Sequence, residues 1–170
     1  MNYLTTNKYI IHIAALLLSY LGARTVFQQL PELKSLFIYP TGVIVNSFYA
    51  TGSHINSEWV YIFNQTKFVL GESCSGTTFF SLLISYLIYS RLKNNTPLFW
   101  LALTYPITLV ANTMRVLSSI YAHQFLAHIN AENYSDSIHV VTGTVTFLSC
   151  LLLVALLIEK SGNTLPDAKP

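Results

Sequence analysis

The stretch IHVVTGTVTFLSCLLLVALLI, residues 138–158, runs for 21 positions without a Lys, Arg, Asp or Glu. A helix needs about 20 apolar residues to cross the hydrocarbon core of a bilayer, so this stretch predicts a membrane span. The rest of the chain agrees, because only 9% of its 170 residues are charged, against about 25% in a soluble domain. This composition excludes a soluble globule and a disordered chain, and a formal net charge of +2 is too small for a nucleic-acid-binding protein. We therefore expect a chain embedded in the lipid bilayer.

Four other apolar runs are candidate spans, at residues 9–30, 36–50, 73–90 and 94–123. Arg91 and Lys93 lie between the last two of these runs, and Lys160 follows residues 138–158. Basic residues favour cytoplasmic loops, so these positions predict that Cys74 lies at the opposite, extracytoplasmic end. The pattern predicts four to six spans, with five the best estimate. If both early runs cross, there are five spans and the N-terminus is outside; if only one crosses, there are four and it is inside.

The segment before Cys74 has a different pattern. Glu58–Phe63 and Thr66–Leu70 are rich in aromatic and β-branched residues, which predicts a short β-hairpin outside the membrane. An interfacial helix or a plain loop is the alternative. We predict an all-α integral membrane bundle with this hairpin, a single transmembrane domain over residues 1–160, and a disordered C-terminal tail over 161–170.

Three reactive side chains are predicted to lie at one level of the bundle. Cys74 precedes a span, Arg115 lies near the far end of the next span, and His139 begins the last one. They are 41 and 24 positions apart in sequence, but antiparallel helices bring them to the same end. A charged side chain within a span costs about 2.5–3.5 kcal/mol on insertion scales, so Arg115 is a functional candidate by default.

The combination of a thiol, a guanidinium and an imidazole is typical of nucleophilic catalysis. A free thiol is only slightly ionised at neutral pH, and a nearby His, Arg or helix N-terminus increases its thiolate fraction. A helix that opens at Ser75 and Gly76 offers free backbone amides for an oxyanion. His139 can protonate a leaving amine, and Arg115 can stabilise the thiolate or the oxyanion; the sequence leaves these roles open.

Supporting roles are predicted for two further residues. Asn112 lies three positions before Arg115 on the same helix face, where it can hold the guanidinium. Gly143 lies four positions after His139 and allows a neighbouring helix to approach closely. Cys150 is interpreted as a small apolar residue deep in the membrane, and Arg24 as a structural or orienting residue.

No cofactor or metal is predicted, because the sequence has no CxxC, no HExxH and no glycine-rich phosphate loop. Two alternatives to an enzyme remain open. One is a small haem-binding membrane protein that uses His12, His123 or His139 as axial ligands. The other is a non-catalytic membrane assembly or transport subunit, in which Arg115 serves packing and Cys74 has no function.

Three short motifs resemble those of the exosortase/archaeosortase family. GESCSGTT at 71–78 resembles its Cys-Ser-Gly signature, ANTMRV at 111–116 its Ala-Asn-x-x-Arg-Ile/Val motif, and SIHVVTG at 137–143 its His-x-x-x-Gly motif. The order Cys, Arg, His is the family order, and the resemblance covers roughly residues 36–158. Typical members have more N-terminal spans, and in this respect the chain resembles the compact class called exosortase K.

The resemblance implies a multi-pass cysteine peptidase or transpeptidase of the bacterial cytoplasmic (inner) membrane. Such enzymes cut C-terminal sorting signals from secreted proteins at the periplasmic face, and those signals carry a short motif, a transmembrane helix and a basic cluster. The family roles map onto Cys74 as the nucleophile, with Arg115 and His139 completing the site.

Overall fold

The computed structural model describes residues 3–49, 51–63, 66–129 and 135–162. Five α-helices and three β-strands form this described part. In chain order they are α1 (Tyr3–Gln29), α2 (Ser35–Tyr49), β1 (Gly52–Ile55), β2 (Glu58–Phe63), β3 (Thr66–Leu70), α3 (Thr77–Asn94), α4 (Phe99–His128) and α5 (Ser135–Gly162). Two 3₁₀ turns, Pro31–Lys34 and Glu72–Cys74, precede α2 and α3.

The predicted hairpin is confirmed, and it belongs to a slightly larger sheet. β2 and β3 pair antiparallel with Trp59 opposite Leu70, and β1, which was not predicted, adds on the other side of β2. The turn at residues 64–65 lies outside the described residues. At the C-terminus, α5 continues to Gly162, two residues into the predicted tail, and residues 163–170 also lie outside them.

Ring contacts fix the direction in which α1 runs. His12 meets Tyr89 at 6.0 Å between ring centroids, and Phe27 meets Phe80 at 5.8 Å. The early part of α1 therefore faces the late part of α3, and the two helices are antiparallel. α4 is also antiparallel to α3, because a short loop joins their ends and Gly76, before α3, approaches Asn112 in mid-α4.

The second helix runs in the same direction as the first. The Tyr105 hydroxyl donates a hydrogen bond to the Leu36 carbonyl at 2.8 Å, and the Tyr49 and Tyr121 rings lie 6.1 Å apart. α2 is therefore parallel to α4, and hence to α1. The 3₁₀ turn at Pro31–Lys34 joins the two helices without reversing the chain.

Two of the described helices are long and apolar enough to cross a membrane, over Ile10–Gln29 and Ser137–Ser161. Both expose large apolar side chains along their length, including Leu18 (69% exposed) on α1 and Leu152 (62%) on α5. Continuous apolar surfaces of this kind are unfavourable in water and are typical of contact with lipid.

The sheet packs against α2 through one buried face. Trp59, Tyr61, Phe68 and Leu70 point inward, and the Tyr61 hydroxyl donates a hydrogen bond to the Gly42 carbonyl at 2.8 Å. Burial raises the pKa of Tyr61 from 10.0 to about 12, so the stabilisation from this protonated donor is complete below pH 10 and is lost as pH rises from there through about 12. The same core contains Cys74, which anchors the site to the sheet.

Candidate active site

Cys74 lies at the junction between the sheet and α3, in a turn held by its own backbone. The Cys74 N–H donates to the Gly71 carbonyl at 2.9 Å, and the Ser75 N–H donates to the Glu72 carbonyl at 3.2 Å. Gly76 then adopts a left-handed conformation, with φ +76°, which turns the chain into α3. Cys74 is 2% exposed, so the turn places its side chain in the protein interior.

The structure brings the three predicted side chains into direct contact. The His139 Nε2 lies 3.5 Å from the Cys74 Sγ and 3.2 Å from the Arg115 Nη2. The His139 ring also packs edge-on against Phe68 of β3, with 6.2 Å between centroids. The Arg115 guanidinium lies over the Phe147 ring at 5.2 Å, where an aromatic face attracts a cation.

One nitrogen of His139 contacts both Cys74 and Arg115. A guanidinium only donates hydrogen bonds, so the Arg115 contact is a hydrogen bond in the form of His139 whose Nε2 is unprotonated. An unprotonated Nε2 has a single lone pair, and the Cys74 thiol also needs it in order to give up its proton. Cys74 and Arg115 therefore compete for the same atom.

Asn112 holds the Cys74 turn rather than the guanidinium. It is completely buried, and its Nδ2 donates to the Cys74 carbonyl at 2.9 Å and to the Thr41 Oγ1 at 3.2 Å. One side chain thus links α4, α2 and the residue that bears the thiol. The predicted contact with Arg115 is not among its hydrogen bonds in the described part of the chain.

Replacing Asn112 with alanine is expected to destabilise the protein by about 1–3 kcal/mol, because it leaves the Cys74 carbonyl buried without this donor. The rate of any reaction at the Cys74 thiol should fall more than the loss of stability explains, because the turn that positions the thiol loosens. Thermal unfolding in detergent measures the first effect. The neighbouring Thr113→Val variant is the control, because it removes a buried hydroxyl that has no hydrogen-bond partner among the described residues. Equal losses in both variants would contradict this role.

Gly143 leaves room for the arginine. A Cβ built on Gly143 would lie 2.7 Å from the Arg115 Nε, closer than two such atoms approach in proteins. At the cysteine turn, a Cβ on Gly76 would lie 2.9 Å from the Asn112 Cγ. Ser75, which is 3% exposed, bonds the Thr77 hydroxyl at 3.0 Å and completes the entry into α3.

The Gly143→Ala variant is expected to lower activity about tenfold with little loss of stability. The added methyl group pushes the flexible guanidinium away from the position in which it could bind an oxyanion, and it does so without deforming a backbone. Gly22→Ala is the matched control, because a Cβ there meets nothing within 4 Å. Initial rates and melting temperatures of the two variants, measured side by side, test this; an unchanged rate for Gly143→Ala would show that the guanidinium position is unimportant.

A cavity of about 400 Å³ opens beside Arg115 and His139, with Ser73 and Ser75 in its lining and the buried Cys74 behind them. Arg115, His139 and the first residues of α3 line it, and the opening N–H groups of a helix have no partner within the helix. Lys34, which forms an ion pair with Glu72, and Arg24 also line it. Sequence reasoning gave Arg24 only a structural or orienting role, although a charge within an apolar run was a signal for more.

Cys150 lies apart from this site. It lines an apolar groove between α4 and α5, together with Trp100, Ile107 and Leu157. Of the three histidines considered as haem ligands, His12 packs beside Tyr89 near the far end of α3, apart from His123 and His139, which both contact the Phe68 ring.

Comparison with known families shows which family the chain belongs to. The sequence model of the transmembrane exosortases (Exosortase_EpsH) matches residues 6–156. The chain belongs to the transmembrane exosortase family. It is accordingly a membrane protein, and the predicted family is confirmed. Searches of curated proteins and of solved structures found no match.

The exosortase match covers all three motifs as well as α2 and the sheet. The matched range contains Cys74, Arg115 and His139, the residues that meet around His139 Nε2. Assignment to the compact exosortase K class stays a prediction, because the match is to the family as a whole.

Proposed function

We propose that this exosortase is a cysteine peptidase or transpeptidase that cleaves C-terminal sorting signals from secreted proteins. The observation that supports this best is the contact of Cys74 Sγ with His139 Nε2, with Arg115 on the same nitrogen and a cavity alongside. A thiol, a base within reach and a third group that contacts the base are the parts that nucleophilic catalysis needs. An inert buried cysteine does not require this arrangement.

The reaction proceeds through a thioester. His139 Nε2 takes the thiol proton, and the Cys74 sulfur attacks the carbonyl carbon of the scissile peptide bond. The tetrahedral intermediate collapses as the C–N bond breaks, and His139 returns the proton to the leaving amine. Water or an amine then attacks the thioester, gives its proton to His139, and releases the acyl group while Cys74 leaves as the thiolate.

Arg115 acts after the first proton transfer. The thiol proton reaches His139 Nε2 only when Arg115 has left its lone pair, and once protonated that nitrogen can no longer accept a hydrogen bond from Arg115. The guanidinium is then free to bind the negative charge that develops on the carbonyl oxygen, together with the amides at the start of α3. Departure of Arg115 from Nε2 thus frees the base for Cys74 and the guanidinium for the oxyanion.

The protein lies in the bacterial cytoplasmic membrane with this site at the extracytoplasmic end. Arg91 and Lys93 end α3, and the positive-inside rule assigns that end to the cytoplasm. α1 and α2 run in the same direction, which favours four crossings (α1, α3, α4 and α5) and a cytoplasmic N-terminus over the five-span alternative. At 15 residues, α2 is also only about 22 Å long, shorter than the hydrocarbon core.

A processing assay in cells that co-express the chain and a reporter tests the proposal. The chain is co-expressed with a secreted reporter that ends in a short motif, a transmembrane helix and a basic cluster, taken from the same genome. The expected result is a reporter shortened by its C-terminal signal, detected by mass. A reporter without the helix and basic cluster should stay intact. An intact signal on every such reporter, with the chain present in the membrane, would contradict the proposal.

A further inference from the structure

Within the described residues, the outer edge of β3 presents backbone groups without hydrogen-bond partners beside the site. β3 is an edge strand, since the sheet order is β1-β2-β3. In the described part of the chain, no backbone hydrogen bond outside the sheet involves residues 66–70. Exposed strand edges accept further strands, because they carry a ready row of donors and acceptors.

The pairing pattern identifies which groups point outward. Asn56 and Ser57, with φ 48° and 69°, form the two-residue turn between β1 and β2, so Ile55 and Glu58 close it as a hydrogen-bonded pair. Hydrogen-bonded pairs alternate along an antiparallel ladder. Trp59 and Tyr61 therefore point their backbone groups toward β3, where their partners are Leu70 and Phe68.

By the same alternation, the N–H and C=O groups of Lys67 and Val69 point away from β2, toward the outer side of the sheet edge. Both residues have exposed side chains, and Val69 is 37% exposed. The intervening Phe68 side chain is 9% exposed and contacts the His139 ring, so the strand lies directly against the candidate base.

The strand also leads to the thiol. Leu70 is four residues before Cys74, a separation of at most about 13 Å even for an extended chain. β1, the other edge, has no such continuation, because it is followed by the turn into β2. A peptide paired along β3 would reach Cys74 within a few residues.

We infer that the outer edge of β3 binds the extended segment that precedes the cleavage site of the substrate, as a fourth, parallel strand. This rests on the proposed function. A substrate anchored by a C-terminal membrane helix approaches the membrane from outside in the N-to-C direction. β3 runs the same way toward Cys74, so pairing along it directs the scissile bond to the thiol. Backbone pairing also leaves the side chains of this segment free to vary.

The first test removes one outward N–H. Val69→Pro deletes that donor while leaving the ladder to β2 intact, because proline is tolerated at edge positions whose N–H faces outward. Processing of the secreted reporter is expected to slow about five- to tenfold, the effect of losing one hydrogen bond from a bound peptide. Val69→Ala keeps the N–H and should process normally. His54→Pro, at an outward position of β1, should also process normally.

Two results would overturn the inference: a folded Val69→Pro variant that processes like the wild type, or a Val69→Ala variant that is equally slow. If Val69→Pro does not fold, disulfide trapping decides. In a Cys74→Ala, Cys150→Ala background, Val69→Cys should cross-link to single cysteines at alternate reporter positions before the cleavage site, and His54→Cys should not. Absence of this period-two pattern would contradict the inference.

A different variant tests the proposed function independently of the strand pairing. Unchanged processing by Cys74→Ala would remove the thiol mechanism and leave the cross-linking result standing. Loss of processing by Cys74→Ala, combined with normal processing by folded Val69→Pro, would remove only the strand-pairing inference.

Discussion

Replacement of Cys74 by alanine is expected to reduce reporter processing to the level seen without the enzyme. In the proposed mechanism the Cys74 sulfur forms the covalent intermediate. No other described cysteine is near His139, since the second, Cys150, lines a separate groove. Cys74→Ser should be nearly as inactive, because a hydroxyl is a far weaker nucleophile than a thiol at neutral pH. The measurement is the rate of reporter shortening in purified membranes at matched protein levels.

Cys150→Ala provides the control for this substitution. It removes a thiol of the same size from the lipid-embedded part of the bundle, and it should process the reporter at close to the wild-type rate. Full processing by Cys74→Ala would exclude the thiol mechanism, and full loss in Cys150→Ala would show that the assay responds to general damage.

His139→Ala and Arg115→Ala are expected to reduce processing by different routes. Loss of the histidine removes the proton acceptor and donor, an effect of about 10²–10⁴-fold on rate. Loss of the arginine removes oxyanion stabilisation, an effect of about 10²–10³-fold. The second readout, alkylation of Cys74 by iodoacetamide, should separate them.

Alkylation of Cys74 should slow in His139→Ala, because the thiol loses its base. It should stay the same or become faster in Arg115→Ala, because the guanidinium no longer competes for Nε2. Both variants are made in the Cys150→Ala background, and their alkylation rates are compared with that of Cys150→Ala alone. Cys74 is then the only thiol in the chain that can be alkylated. Equal slowing of alkylation in both variants would contradict the separation of roles and would indicate that Arg115 acts on the thiol directly.

The sequence was sufficient for the parts of this structure that depend on composition and period. Residues 138–158 lack charge and form one helix, and alternating branched and aromatic residues form β2 and β3. The family motifs predicted the membership that the comparison confirmed. These features are local, so they are visible in a single chain.

Other features depend on packing and were not accessible. β1 is short and contains one β-branched residue, so its pairing with β2 forms it rather than its own propensity. Apolar composition does not indicate in which direction a helix runs relative to its neighbours. The sequence therefore left open whether residues 36–50 cross the membrane back toward the other side. Arg24 needed the helix positions before it was found to line the same cavity as Arg115.

The roles of Arg115 and His139 illustrate the same limit at atomic scale. Helix lengths predicted that both residues lie level with Cys74. Only the structure shows that Sγ and Nη2 both contact one imidazole nitrogen, and the order of action proposed for the two residues rests on that contact. The depth of a residue in the bundle follows from the number of residues along its helix. Whether two groups contact the same nitrogen depends on side-chain rotamers, which residue counts do not give.

Trapping the acyl-enzyme tests the central claim most directly. The chain and the reporter are co-expressed, quenched rapidly in acid and digested, and the peptides are identified by mass spectrometry. The predicted result is a thioester that joins Cys74 to the reporter residue before the cleaved bond. It should be released by hydroxylamine, retained in Cys150→Ala and absent in Cys74→Ala. Processing of the reporter with Cys74 unmodified throughout, or with the acyl group on another residue, would contradict the account.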